Sequence, residues 1–293
     1  MNESKPAGGE LAVIEKVAEL AMKLGQRHLA AYGANTSRHD FTQRQLMSCL
    51  ILRAYLKTTY RGVLELLAVS PPLRERLGMT EKLPHFTTLQ KFSARSQVLA
   101  VAQKLVAEIG QAAAAQAPNQ PAAMDATGMA LTTASDYFQT RKGGKVRKWV
   151  KVSVMVLCGS LLPLGLVVEL GAVNDKAHAR SLLAQAQAVA QPPQLYADAG
   201  YDSEPLHVQC REQWGVESVI NPVQRRTDGL RGGRWRALMS PEYLQASNYG
   251  KRWAVESFFS GLKRTTGGAL QARRPQQMVA EATFRVLAYV LRR

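Results

Sequence analysis

The stretch Trp149-Val-Lys-Val-Ser-Val-Met-Val-Leu157, followed by Cys158-Gly-Ser160 and Leu161-Leu-Pro-Leu-Gly-Leu-Val-Val-Glu-Leu170, decides the fold class. In an extended chain successive side chains point to opposite sides. Val150, Val152, Val154 and Val156 therefore share one face, and Lys151, Ser153, Met155 and Leu157 share the other. Cys158-Gly159-Ser160 turns the chain, and Leu161 to Leu170 returns as a second strand. Lys151, Gly159, Ser160, Pro163, Gly165 and Glu169 interrupt the run, which rules it out as a membrane span.

Working outward, Met124 to Leu131 reads as an earlier strand, and the segments after Leu170 alternate in type. Lys176 to Ala190 reads as a helix ended by Pro192-Pro193. Gln194 to Ala197 is a short strand, Glu204 to Gln213 a helix, Val216 to Ile220 a strand, and Asn248 to Leu262 a helix. Asn221 to Ser247 has the turn-rich, basic character of an insertion. Strand, hairpin, helix, strand, helix, strand, helix is an α/β order with an antiparallel part followed by a parallel part.

Upstream, the first third is helical. Leu11, Ile14, Ala18 and Ala21 fall at helical spacing. Thr42 and Gln45 form a capping box, with Phe41 and Leu46 as its hydrophobic staple. Arg61 to Ala68 is a short helix, and another runs from Thr87-Thr88 to about Gly110. Several short helices joined by tight turns are compatible with a helix-turn-helix type DNA-binding module. Ala-, Gln- and Pro-rich Gln111 to Pro121 is expected to be a linker or a frayed helix end. The expected organisation is a helical domain over 1–118 and an α/β domain over 119–293.

The 293 residues carry a formal net charge of +16, and 46% are hydrophobic. Such a basic balance points to a polyanionic partner, because Lys and Arg attract phosphates and release their counterions. Cys49, Cys158 and Cys210 form no CxxC pair, which argues against a disulfide scaffold or structural zinc and for a reducing cytosol. Met1 to Gly9 has no apolar core segment of a signal peptide, so a cytoplasmic, nucleoid-associated protein is expected.

Three carboxylates stand out. Asp125 sits among small and apolar residues inside a strand, where a charge is costly unless paired or bound to a metal. Asp198 lies where the strand Leu195-Tyr196-Ala197 ends, the edge at which α/β folds place their sites. Glu256 shares a helix face with Tyr249, Arg252 and Lys263, all within an arc of about 60° at about 100° per residue. Acids held close together resist ionising at once. Divalent cations that favour hard oxygen ligands, Mg2+ or Mn2+, resolve that conflict. A solvated charged stripe accounts for the helix face taken alone, and a capping or turn role accounts for each aspartate.

Tyr249, Arg252, Glu256 and Lys263 reproduce a Y-(2)-R-(3)-E-(6)-K spacing. Together with Asp125-Ala-Thr127 and Tyr196-Ala-Asp-Ala-Gly-Tyr201, this resembles the bacterial insertion-sequence transposases of the DDE type. The likeness covers roughly residues 120 to 290. It implies an RNase H-like mixed sheet flanked by helices, and it implies Asp125, Asp198 and Glu256 as catalytic ligands of two Mg2+ or Mn2+ ions. It further implies that Tyr249, Arg252 and Lys263 handle the phosphates of double-stranded DNA at the element's ends. The implied chemistry frees a 3′-hydroxyl and joins it to target DNA, with a homodimer holding two ends. Two rival readings remain open: a DNA-binding protein without catalysis, such as a regulator or decayed transposase, and an RNase H-like nuclease that does not join strands.

Basic clusters flank these residues: Arg141, Lys142, Lys145, Arg147, Lys148 and Lys151, then Arg225, Arg226, Arg231, Arg234 and Arg236. Both are expected to touch DNA phosphates, with Trp235 available to stack on an unpaired base. His178 and Asp175 lie near a strand-to-helix junction. His178 is a weaker candidate, and helix capping explains Asp175.

Overall fold

A computed structural model describes residues 12–36, 38–131, 149–171, 173–223 and 232–293. Six helices come first: α1 (Val13–His28), α2 (Gln43–Tyr55), α3 (Tyr60–Ala68), α4 (Pro71–Arg76), α5 (Phe86–Ser93) and α6 (Ser96–Gln116). The strands and remaining helices follow as β1 (Ala122–Leu131), β2 (Trp149–Leu157), β3 (Pro163–Leu170), α7 (Asp175–Gln187), β4 (Gln194–Ala197), α8 (Glu204–Val208) and β5 (Glu217–Ile220). The chain then forms α9 (Pro241–Ala246), α10 (Trp253–Thr266), β6 (Ala269–Leu270) and α11 (Pro275–Arg292).

The strands form one mixed sheet in the order β3-β2-β1-β4-β5. The β2–β3 hairpin and the β1–β2 pair are antiparallel, whereas β4 runs parallel to β1 and β5 parallel to β4. This is the antiparallel-then-parallel order expected from the sequence. The pleat sorts the β2 side chains as anticipated. Val150, Val152, Val154 and Val156 enter a core shared with α10, α11 and the N-terminal helices. Met155 and Leu157 enter a second core with Ala179, Leu182, Leu183 and Ala186 of α7. Helices on both faces are what two apolar faces require.

The capping box at Thr42 forms as read: the Thr42 N–H donates to Gln45 Oε1 at 2.7 Å, and the Gln45 N–H donates to Thr42 Oγ1 at 3.4 Å. Elsewhere helix boundaries differ from the periodicity. The single helix expected from Thr87 to Gly110 is two, broken at Ala94-Arg95, because α5 turns to bury Leu89 and Phe92 while α6 buries Val98, Val101 and Leu105. α6 continues to Gln116, through much of the stretch that composition marked as linker or frayed end. It lies so close to β3 that a Cβ at Gly110 would collide with the Pro163 carbonyl. By length and composition α6 could cross a membrane. Here it packs against β3 and α11.

The expected Glu204–Gln213 helix is α-helical only to Val208. It widens into a π-helical turn, Gln209–Trp214, that ends at Gly215 with φ 72°. The expected helix from Asn248 is likewise split. Asn248 adopts φ 56°, a 3-10 turn covers Tyr249–Arg252, and α10 proper begins at Trp253.

Candidate active site

The site grows from a gap in the sheet. β4 pairs with β1 only from Ala122 to Met124, and β6 pairs with it only at Ala130 and Leu131. Between them, among the described residues, no strand covers that edge of β1. The register sets Met124 opposite Ala197, so the next residues, Asp125 and Asp198, emerge side by side where the two strands part. Adjacent strands lie about 4.8 Å apart. Two residues distant in sequence are thus neighbours because the parallel pairing stops there.

Each aspartate is fixed locally. Asp125 Oδ1 accepts the Ala126 N–H at 2.7 Å. Asp198 caps the 3-10 turn Ala199–Tyr201, its Oδ1 accepting the Gly200 N–H at 2.9 Å. Burial pushes the Asp125 carboxyl up to about 6, and the nearby charges of Asp198 and Asp175 push the same way. The Ala126 N–H and the Arg252 guanidinium oppose the rise. A dry setting and like charges thus both oppose ionisation of this carboxyl, the condition that a cation relieves.

The 3-10 turn and α10 supply the other side of the gap. Tyr249 reaches across to donate its hydroxyl to the Ala197 carbonyl at 3.0 Å, and burial raises its phenol above the ordinary tyrosine range. One turn further, Arg252 places Nη1 3.6 Å from Asp125 Oδ2 and pairs through Nη2 with Glu256. Lys263, two turns beyond Glu256, donates from Nζ to Thr127 Oγ1 at 2.7 Å. The structure thus brings Asp125, Asp198, Tyr249, Arg252 and Lys263 to one gap. Glu256 is joined to them through Arg252, with a carboxylate that is largely exposed. Among the described residues no three carboxylate, histidine or cysteine groups already stand close enough to enclose a metal ion. The donor set is nonetheless hard oxygen, and a side-chain cation already lies between two of the acids, so the residues fit a divalent cation.

Other sequence candidates fall differently. Lys148 and Arg231 lie outside the described residues, as do Arg141, Lys142, Lys145, Arg147, Arg225 and Arg226. Arg234 is exposed, its guanidinium carbon 4.4 Å from the centre of the Trp235 ring. Arg211 approaches the same ring at 4.9 Å, and the indole N–H donates to Glu212 at 2.7 Å, so Trp235 is already engaged within the protein. Arg236, expected to touch phosphate, is instead buried. Its Nε and Nη2 each donate to the fully buried Asp202 carboxylate at 2.7 Å. Once that pair forms, neither charge is available to DNA.

His178 is buried and engaged within the fold. Its Nδ1 shares a hydrogen bond with Ser153 Oγ at 2.8 Å and its Nε2 one with Glu169 at 2.7 Å. Asp175 does approach the site, and it is not the cap of α7. Asn174 fills that role by accepting the Lys176 N–H at 3.0 Å, while Asp175 pairs with Lys151. Sequence reasoning passed over Tyr201, which is fully buried behind the Asp198 turn. Its signal in the sequence was its place as the last residue of the Tyr196–Tyr201 motif, to which no role was given.

A mixed sheet flanked by helices, with two aspartates side by side where its first and fourth strands part, is the arrangement of an RNase H-like catalytic domain. The chain belongs to the transposase DDE-domain family, whose model matches residues 117–291, more than half of its length. By class it is a transposase, a DNA-processing enzyme. No curated protein matches it.

Proposed function

We propose that this transposase cuts double-stranded DNA at the ends of an insertion sequence and joins the freed 3′-hydroxyl to target DNA. Asp125, Asp198 and Glu256 would hold Mg2+ or Mn2+, two ions in the fullest form. The observation that supports this reading most is Arg252, one guanidinium lying between Asp125 and Glu256. Bound cations would supply positive charge that lets the acids ionise together and that polarises phosphodiester oxygens.

The protein's own groups account for the rest. Arg252 is held by acids in the DNA-free chain, so a phosphate that draws it away releases the Glu256 carboxylate. A planar guanidinium forks onto two phosphate oxygens, which fixes the scissile bond in line. Lys263 anchors on Thr127 beside Asp125 and offers a second phosphate contact, and Tyr249 braces the end of β4. Arg234 and the basic residues 141–148 and 225–231 would track the flanking backbone. The helices of residues 1–118 would recognise the element's ends, and a homodimer would hold two of them.

The test is cleavage and strand transfer on DNA carrying the element's ends with Mg2+ or Mn2+, comparing wild type with Glu256→Gln. Release and joining of a 3′-hydroxyl by wild type, and binding without either step by the variant, is the expected result. Binding without cutting by both proteins under either metal would replace this reading with a DNA-binding role. Cutting without joining would leave a nuclease.

A further inference from the structure

Tyr201 is the last residue of the 3-10 turn that Asp198 caps, and none of its side chain reaches solvent. Its hydroxyl has no hydrogen-bond partner among the described residues. A buried phenol hydroxyl without a partner is costly, and native proteins keep few such groups. The surroundings of this one are specific. After burial, the strongest influences on the phenol are the negative charges of Asp175, then Asp125, then Asp198, all of which hold its proton on. A phenol hydroxyl enclosed near carboxylates can satisfy itself by donating to one of them.

Asp175, whose charge acts on the phenol most strongly of the three, is the candidate acceptor. Its Oδ1 pairs with Lys151, and its Oδ2 faces the other way, 3.5 Å from where a Cβ on Gly200 would stand. Asp198 Oδ1 lies 3.0 Å from the same point, so the two carboxylates flank the backbone that immediately precedes Tyr201. The first turn of α7 and the Asp198 turn are in contact. Glycine at position 200 lets both acids close on the turn.

We propose that Tyr201 is a positioning residue of the carboxylate site, whose hydroxyl donates to Asp175 and fixes that fourth acid beside Asp125 and Asp198 when divalent cations bind. This rests on the metal-dependent reading above. Partners that orient a metal-binding group act without touching the metal, and their loss lowers metal affinity on the order of 10- to 100-fold.

The experiment measures Mn2+ binding by the electron paramagnetic resonance signal of the free ion, on the full chain, with and without a DNA duplex. It compares wild type, Tyr201→Phe, Asp175→Asn and the double variant, and records thermal melting of each without metal. Tyr201→Phe loses no hydrogen bond of the DNA-free fold and removes an orphan hydroxyl, so its melting temperature should equal or exceed that of wild type. Its Mn2+ affinity should fall about ten-fold or more, and the double variant should bind no more weakly than Asp175→Asn alone. Wild-type affinity in Tyr201→Phe, or a lower melting temperature that accounts for the loss, would overturn the proposal. Strictly additive losses would place Tyr201 on another acceptor and overturn the assignment to Asp175. If wild type itself binds no Mn2+ with or without DNA, the metal reading fails first and the Tyr201 role falls with it.

Discussion

Arg236 and Arg252 are sixteen residues apart and look alike in the sequence, yet the structure uses them in opposite ways. Arg236 is buried and fully occupied: it grips both oxygens of Asp202 and donates to the Gly232 carbonyl at 3.0 Å. Arg252 keeps partial exposure, stands 3.6 Å from Asp125, and has for its closest partner an exposed glutamate in the first turn of α10. The first pair is sealed from water and gives nothing to a ligand. The second is loosely held by acids, and a phosphate can compete for it. A basic side chain contributes to DNA chemistry only while its charge is not already spent inside the fold.

The sharpest test of that division is Glu256→Gln. It should reduce cleavage by about 10³-fold or more while leaving urea unfolding unchanged, because the group is exposed and its loss falls on the reaction. Arg236→Met should do the reverse. Taking the guanidinium away from the buried Asp202 carboxylate should cost about 3–5 kcal/mol in unfolding free energy, and adding Asp202→Asn should restore part of it. If Arg236→Met instead unfolds like wild type and weakens DNA binding, the division fails.

His207 extends the buried side of the comparison into pH. It is fully buried and shares a 2.7 Å hydrogen bond with Ser218, and burial, with help from Arg211, lowers it from 6.5 to about 4. The unfolded chain then takes up a proton before the folded one does. The contribution of His207 to stability should be unchanged above pH 6.5 and fall progressively down to about pH 4, by on the order of 3 kcal/mol, read as the difference between wild type and His207→Gln because the raised Asp125 carboxyl acts oppositely below pH 6. Denaturant midpoints measured across that range should lose this slope in His207→Gln. The smallest effect is expected from Arg252→Gln on binding. The slope of log affinity against log salt should shrink by about one phosphate contact, with stability within about 0.5 kcal/mol of wild type.

The sequence made the sheet legible because pleat alternation is local: the β2 valines needed only their neighbours to be assigned a face. The motif residues were legible as a spacing on one helix and as strand-end aspartates. What was hidden depends on contacts across the chain. The Asp202–Arg236 pair joins positions 34 residues apart, and no periodicity reports it. The break at Ala94-Arg95 follows from where Phe92 and Val98 find cover, and both halves carry a helical pattern. Asp175 looked like a cap because caps are local, whereas its approach to Asp125 comes from the way α7 enters against the Asp198 turn.

The last helix, α11, has a consequence for how the molecule is made. It packs against α1, α2 and α6 as well as the sheet and α10, and its Glu281 accepts from the Gln271 and Ala272 amides and pairs with Arg285. Helices α1 and α2 are therefore covered by one translated more than two hundred residues later. At ordinary synthesis rates α2 waits on the order of tens of seconds for that cover. A nascent chain still lacking residues 275–292 exposes the apolar side of α2 and α6, a surface for chaperones to bind.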